Sequence, residues 1–178
     1  MPRLIDLLFL FSLGFCGAQA IAADDADILK NWFNDPFFQV RDTVKACPVP
    51  LGPLMTEKQR NAEAHYRVER GTSCWLAGKC DKPNSYLYDA PIAEAIRQRF
   101  SQTTELNETS LWITVQRRFV IVQGCTNGSD QAAQIEALLA SVPDVERVIL
   151  QLISSPREKE KPPYLLAPGQ TRSTDSSK

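Results

Sequence analysis

The 178-residue chain has a single histidine, His65, and no two cysteines separated by only two residues. Zinc sites are built mainly from such cysteine pairs and from histidines, so no zinc site is expected. The chain also lacks a G-x-S-x-G elbow, a phosphate-binding loop and a dinucleotide fingerprint. Glu69 is the only acidic residue at helical spacing from His65, which favours a structural surface histidine. We therefore expect no catalytic residues, no metal and no cofactor.

An excess of basic charge is missing as well. The chain has 20 Lys and Arg residues against 21 Asp and Glu residues, and its net charge is -1. A nucleic-acid-binding protein would show a concentrated basic surface. Nucleic acid is therefore not an expected partner.

Only one long apolar run occurs, LLFLFSLGFCGAQA near the N-terminus. It is shorter than the roughly 18 residues that a membrane-spanning helix needs. Two A-x-A sites follow, ending at Ala20 and Ala22, which is typical of a secretory signal peptide over residues 1–22. Lipidation at Cys16 is an alternative, but Phe15 stands where a lipobox has a small residue. We expect an exported protein with no transmembrane segment in the mature chain.

Four cysteines remain after removal of the signal peptide: Cys47, Cys74, Cys80 and Cys125. An even number of cysteines in an exported protein predicts two disulfides. Cys74 and Cys80 bracket the short loop CWLAGKC and could pair locally, which would leave Cys47 to pair with Cys125. Three pairings are possible, and the spacing alone does not choose among them.

Residues 23–87 are predicted to form a mainly helical or irregular segment that packs on the rest of the chain. Its beginning is rich in aromatic residues between Trp32 and Phe38. Thr56 and Gln59 form a capping box for a surface helix, and Gly71 is placed to end that helix.

Residues 88–153 show the order α-β-β-α-β. Apolar residues at Ile92, Ile96 and Phe100 share one face of a helix. Two β-type runs, 111–116 and 119–123, are separated only by two arginines, which predicts a hairpin with Gly124 at the end of its second strand. A second helix and a strand over 145–153 follow. The predicted fold is therefore α+β with a mixed three-stranded sheet, and residues 154–178 form a disordered polar tail apart from Tyr164 to Leu166.

The same region resembles a BON domain. Ile113 and Val115 match the first apolar alternation of that family, the V-x-V-x-G run 120–124 matches its core signature, and V-x-x-V at 145–148 matches its last strand. Two features depart from the family pattern: Arg117-Arg118 replace a turn that is often Asn-Gly, and Asp144 stands where a glycine is usual.

The resemblance implies a non-enzymatic protein of the Gram-negative periplasm. It implies association with phospholipid or the membrane periphery, and a role in envelope maintenance or osmotic stress. A protein-protein interaction or assembly component of an envelope or secretion machinery is the alternative, and the oligomeric state stays open.

The predicted sheet has a second apolar face, which carries Trp112, Phe119 and Ile121. Soluble monomers seldom leave such a patch in water. Either the aromatic segment Trp32–Phe38 covers it, held down by a cysteine bridge, or a lipid or protein partner does. The candidate contact residues for lipid or partner are Arg97, Arg99, Arg117, Arg118 and Trp112.

Overall fold

The structure is a computed structural model that describes residues 28–128, 130–154 and 161–170. Three predicted features lie outside these ranges: the signal peptide, Cys16, and residues 155–160 and 171–178 of the predicted tail. The elements, in chain order, are β1 (Phe37–Asp42), α1 (Glu57–Leu76), a 3-10 turn (Ser85–Tyr88), α2 (Asp89–Gln102), β2 (Thr109–Gln116), β3 (Phe119–Thr126), α3 (Gln131–Ala140) and β4 (Arg147–Ser154).

The sheet has four strands, in the order β1-β2-β3-β4, so the prediction of three strands is wrong in number. The predicted hairpin is formed by β2 and β3, and β4 lies parallel to β3. The additional strand is β1, which pairs antiparallel with β2 and begins within the aromatic segment. Its partner lies about 70 residues away in sequence, and local patterning does not reveal such pairings.

The hydrophobic core lies between one face of the sheet and the helices α2 and α3. The predicted stripe of Ile92, Ile96 and Phe100 is fully buried there, as are Ile135 and Leu139 of α3. These helices cover the face of the sheet on which alternate residues of β2 and β3 are aliphatic. The helical and strand periodicities of this region are thus confirmed.

Two glycines act differently from the prediction. The capping box of Thr56 and Gln59 is present, but α1 continues past Gly71 to Leu76. Gly71 is buried, and a Cβ there would lie 2.7 Å from Oδ1 of Asn84. Gly124 lies inside β3 rather than at its end, with φ +140°, and a Cβ there would lie 2.0 Å from the carbonyl oxygen of Ser110. At both positions a glycine is therefore needed because another group approaches the backbone closely, and neither glycine ends its helix or strand.

The second face of the sheet is covered by residues 47–53 and 161–167 of the chain itself. The N–H of Leu51 donates to the carbonyl of Leu165 at 2.7 Å, and the hydroxyl of Tyr164 donates to the carbonyl of Pro48 at 2.9 Å. The Cys47–Cys125 disulfide anchors this cover to β3. The aromatic segment contributes to this cover only in part: the Phe37 ring lies against Gly52 of the cover, whereas Phe38 packs against the core on the other face.

Candidate functional site

A buried ion pair fixes α1 against the sheet. The guanidinium of Arg67 donates to both carboxylate oxygens of Asp35, at 2.6 and 2.9 Å. Gln116 of β2 donates to the same carboxylate at 2.8 Å, and the rings of Phe33 and Tyr86 each lie 4.0 Å from the guanidinium carbon. The buried guanidinium and carboxylate therefore both form hydrogen bonds with other groups of the protein, as buried charges require. Local sequence patterning does not reveal this pair, because its members are 32 residues apart.

The tip of the β2–β3 hairpin is closed by Asp89, the first residue of α2. Its carboxylate accepts the backbone N–H groups of Arg117 and Arg118, both at 2.8 Å. The two arginines have φ of 53° and 66°, the left-handed conformation that a two-residue hairpin turn requires. The Asp89 side chain thus supports a turn that lacks the usual Asn-Gly residues. Asp144, at the other position where the family has glycine, also has a positive φ, 66°.

Burial raises the pKa of Asp89 from its usual 3.8 to about 6. The two turn N–H groups favour the charged form and act in the opposite direction, but desolvation of the carboxylate is the larger effect. Asp89 therefore changes its charge in the mildly acidic range.

The four arginines predicted as contact residues do not form one patch. Arg117 and Arg118 lie at the hairpin tip beside Asp89, and their guanidinium carbons lie 4.5 and 5.1 Å from the ring centroids of Phe119 and Tyr88. Eight residues of helix separate Asp89 from Arg97, which is about 12 Å along the axis.

Arg97 and Arg99 themselves flank the buried stripe of α2 on opposite sides, because two residues of helix correspond to about 200°. The Arg97 guanidinium carbon lies 3.8 Å from the centroid of the Phe38 ring, and Arg99 is exposed. Trp112 is only 8% exposed, on the covered second face of the sheet. This burial argues against Trp112 as a contact residue.

The end of α1 exposes apolar side chains that the sequence analysis did not select. Trp75 is 48% exposed and Leu76 is 73% exposed. The Cys74–Cys80 disulfide closes the chain directly around them, and Lys79 in the same loop is exposed. We call residues 74–82 the bridged tip. A Trp-Leu pair between two closely spaced cysteines was the signal in the sequence that could have identified it.

Lys82 marks the base of the bridged tip. Its ammonium group lies 4.4 Å from the centroid of the Tyr88 ring and donates to the carbonyl of Leu87 at 3.1 Å. The Leu87 side chain is 54% exposed. The bridged tip therefore combines exposed apolar side chains with two lysines and one acidic residue, Asp81.

Two clefts lie on the second face of the sheet, beneath the covering segments. The larger, about 600 Å³, is lined by residues that include Gln123, Gln151 and Lys161, and the smaller, about 270 Å³, by residues that include Gln123 and Arg70. In the described part of the chain, no group of three His, Cys, Asp or Glu side chains could hold a metal ion. No helix within the same ranges is long and apolar enough to cross a membrane.

The structure contains the disulfides Cys47–Cys125 and Cys74–Cys80, which is one of the three pairings that the sequence left open.

Comparison with curated proteins gives no match, and neither does comparison with solved structures. Residues 88–154 match the family model of the BON domain, somewhat more than a third of the chain. The match begins at the residue before α2 and ends with the last residue of β4, so it covers α2, the hairpin, α3 and β4. This region of the chain is therefore a BON domain.

Proposed function

We propose that this protein is a non-enzymatic component of the bacterial envelope that binds the surface of an anionic phospholipid membrane through its bridged tip. Exposure of Trp75 and Leu76 on a disulfide-closed loop is the observation that carries this proposal. Tryptophan is enriched where one end of a side chain is in an apolar medium and the other in water. The BON domain supports an envelope role in general.

The expected affinity of the bridged tip is weak and reversible. Transfer of the exposed half of Trp75 into the membrane interface removes about 100 Å² from water, which is worth about 2.5 kcal/mol. The exposed part of Leu76 adds about 1.5 kcal/mol. Lys79 and Lys82 each add about 1 kcal/mol near an anionic surface, and Asp81 opposes them. The sum suits a peripheral contact rather than a permanent anchor.

Two further properties belong to this proposal. The protein is exported to the periplasm of a Gram-negative bacterium, where an oxidising environment maintains both disulfides. There it contributes to envelope maintenance under osmotic stress, as the BON domain suggests.

Co-sedimentation with vesicles of phosphatidylethanolamine and phosphatidylglycerol tests the proposal. We expect the exported, oxidised protein to be retained on these vesicles at low salt. Replacing both Trp75 and Leu76 with Ser should abolish the retention, because it removes most of the apolar contribution. A Trp75→Phe variant keeps an apolar ring and should retain most of the binding.

A variant in which the four predicted contact arginines are replaced provides the comparison with the Trp75 and Leu76 variant. If Arg97, Arg99, Arg117 and Arg118 form the contact instead, their replacement with Ala will abolish retention while the Trp75 and Leu76 variant still binds. That result would overturn the proposed surface but keep the membrane function. Absence of retention for the unsubstituted protein would overturn the membrane function and leave the alternative, a protein partner in an envelope or secretion machinery.

A further inference from the structure

The two edges of the sheet are protected very differently. The outer edge of β1 has a bulge between Gln39 and Arg41, a proline just before the strand, and charged residues at Arg41 and Asp42. These are devices by which proteins prevent pairing at a sheet edge. Strand β4 has none of them after Arg147, because its remaining residues, VILQLIS, include no charge and no proline. Only the β4 edge is therefore suited to accept another strand.

The outer edge of β4 has no strand partner among the described residues. Within residues 28–128, 130–154 and 161–170, its only strand partner is β3, on the inner side. Every second residue of β4 directs its N–H and C=O away from β3, and these groups need hydrogen-bond partners. The side chains from Val148 to Leu152 are half-buried, so part of their apolar surface remains in water.

We propose that β4 pairs antiparallel with β4 of a second copy of this chain, which joins two four-stranded sheets into one of eight strands. A twofold axis perpendicular to the sheet passes through Gln151. Even-numbered residues of one copy then lie opposite even-numbered residues of the other, and odd-numbered residues opposite odd-numbered ones. Each face of one sheet therefore continues into the same face of the other. This proposal is independent of membrane binding.

The sequence of β4 is self-complementary in this register. Leu150 of each copy lies opposite Leu152 of the other, on the face that carries α2 and α3. Ile149 lies opposite Ile153 on the second face. Shifting the axis to Leu150 would instead place Ile149 opposite Gln151, which loses an apolar pair. The only charged side chain of the strand, Arg147, lies far from the axis in both copies.

Helix α3 lies beside the proposed seam. It packs against β4 on the core side, so the two α3 helices would lie on the same face of the joined sheet. Glu136 is the only charged residue of α3. Repulsion between the two helices across the seam is therefore small.

Sedimentation velocity over a range of protein concentrations tests the pairing. We expect a reversible dimer for the unsubstituted protein. Gln151→Glu should weaken the dimer by about fivefold or more, because two carboxylates meet at the axis. The new side chain still accepts the hydrogen bond that Nε2 of Gln123 donates to Gln151 at 2.7 Å, so the fold of each copy is preserved. Gln39→Glu makes the same change on the protected edge and should leave the dimer unchanged.

Thiol cross-linking tests the register. A Gln151→Cys variant should form a covalent dimer with a short bis-maleimide reagent, whereas Gln39→Cys and the unsubstituted protein should not. A monomer at every soluble concentration would refute the proposal. A dimer that is equally affected by both glutamate variants, or that does not cross-link through position 151, would show that another surface is used and would refute it as well.

Discussion

The charge of Asp89 should make the stability of the protein depend on pH in an unusual direction. The pKa of this carboxyl is about 6 in the folded protein, against an ordinary value of 3.8. The folded state therefore holds the proton more tightly than the unfolded state does. Its contribution to the free energy of unfolding is fully present below about pH 4 and is lost as the pH rises through 6. A shift of about 2 units corresponds to about 3 kcal/mol.

Asp89→Asn removes the titration but keeps the shape of the side chain. The amide oxygen can still accept one turn N–H, while the amide nitrogen faces the other, which costs about 1–2 kcal/mol at any pH. Below pH 4 this is the whole cost, because the aspartic acid is neutral as well. At pH 7 the native chain has also lost about 3 kcal/mol through ionisation of Asp89. The substitution should therefore be destabilising in acid and neutral to stabilising at pH 7.

Urea unfolding of both chains, with the disulfides intact, measures this difference at a series of pH values from 4 to 7. Contributions from other titrating groups cancel in the comparison. Asp144→Asn is the matched control, since this aspartate lies near the same turn but is exposed. If Asp89→Asn were instead more costly at pH 7 than at pH 4, the turn N–H groups would outweigh desolvation and the reasoning would be refuted.

Two further stability predictions concern a buried ion pair within the N-terminal segment and the disulfide that joins this segment to the BON domain. Replacing Arg67 with Met should destabilise the protein by about 3–5 kcal/mol, because Asp35 would keep a buried charge without its partner. Replacing Cys47 and Cys125 with Ser opens a bridge between residues that are 78 apart, which should cost about 4.5 kcal/mol from chain entropy. Both losses can be measured by chemical unfolding.

Each of these changes has a control within the chain. Arg70→Met lies on the same helix but removes an exposed ion pair with Glu63, and it should cost less than about 1 kcal/mol. Opening the Cys74–Cys80 bridge, whose residues are only 6 apart, should cost about 2 kcal/mol. Equal losses for the two arginines, or for the two bridges, would contradict the roles assigned here.

The candidate site was only partly accessible from the sequence. The pattern placed Arg117 and Arg118 at a hairpin turn, and the structure has them there. Their backbone conformation depends on Asp89, which is 28 residues away and approaches only when α2 packs on the sheet. Likewise, the exposure of Trp75 could not be read from residue type, because Trp112 is the same residue and is buried.

By itself the sequence determined the helices and strands of residues 88–153, because their apolar residues recur at the periods of one helical face and one strand face. It also indicated the BON domain through the order of those elements. Only the tertiary structure decided the fourth strand, the pairing of the cysteines, the cover of the second sheet face and the buried Asp35–Arg67 pair. Apart from the Cys74–Cys80 bridge, whose residues are only 6 apart, each of these joins residues far apart in the chain. Local periodicity carries no information about which distant segments meet.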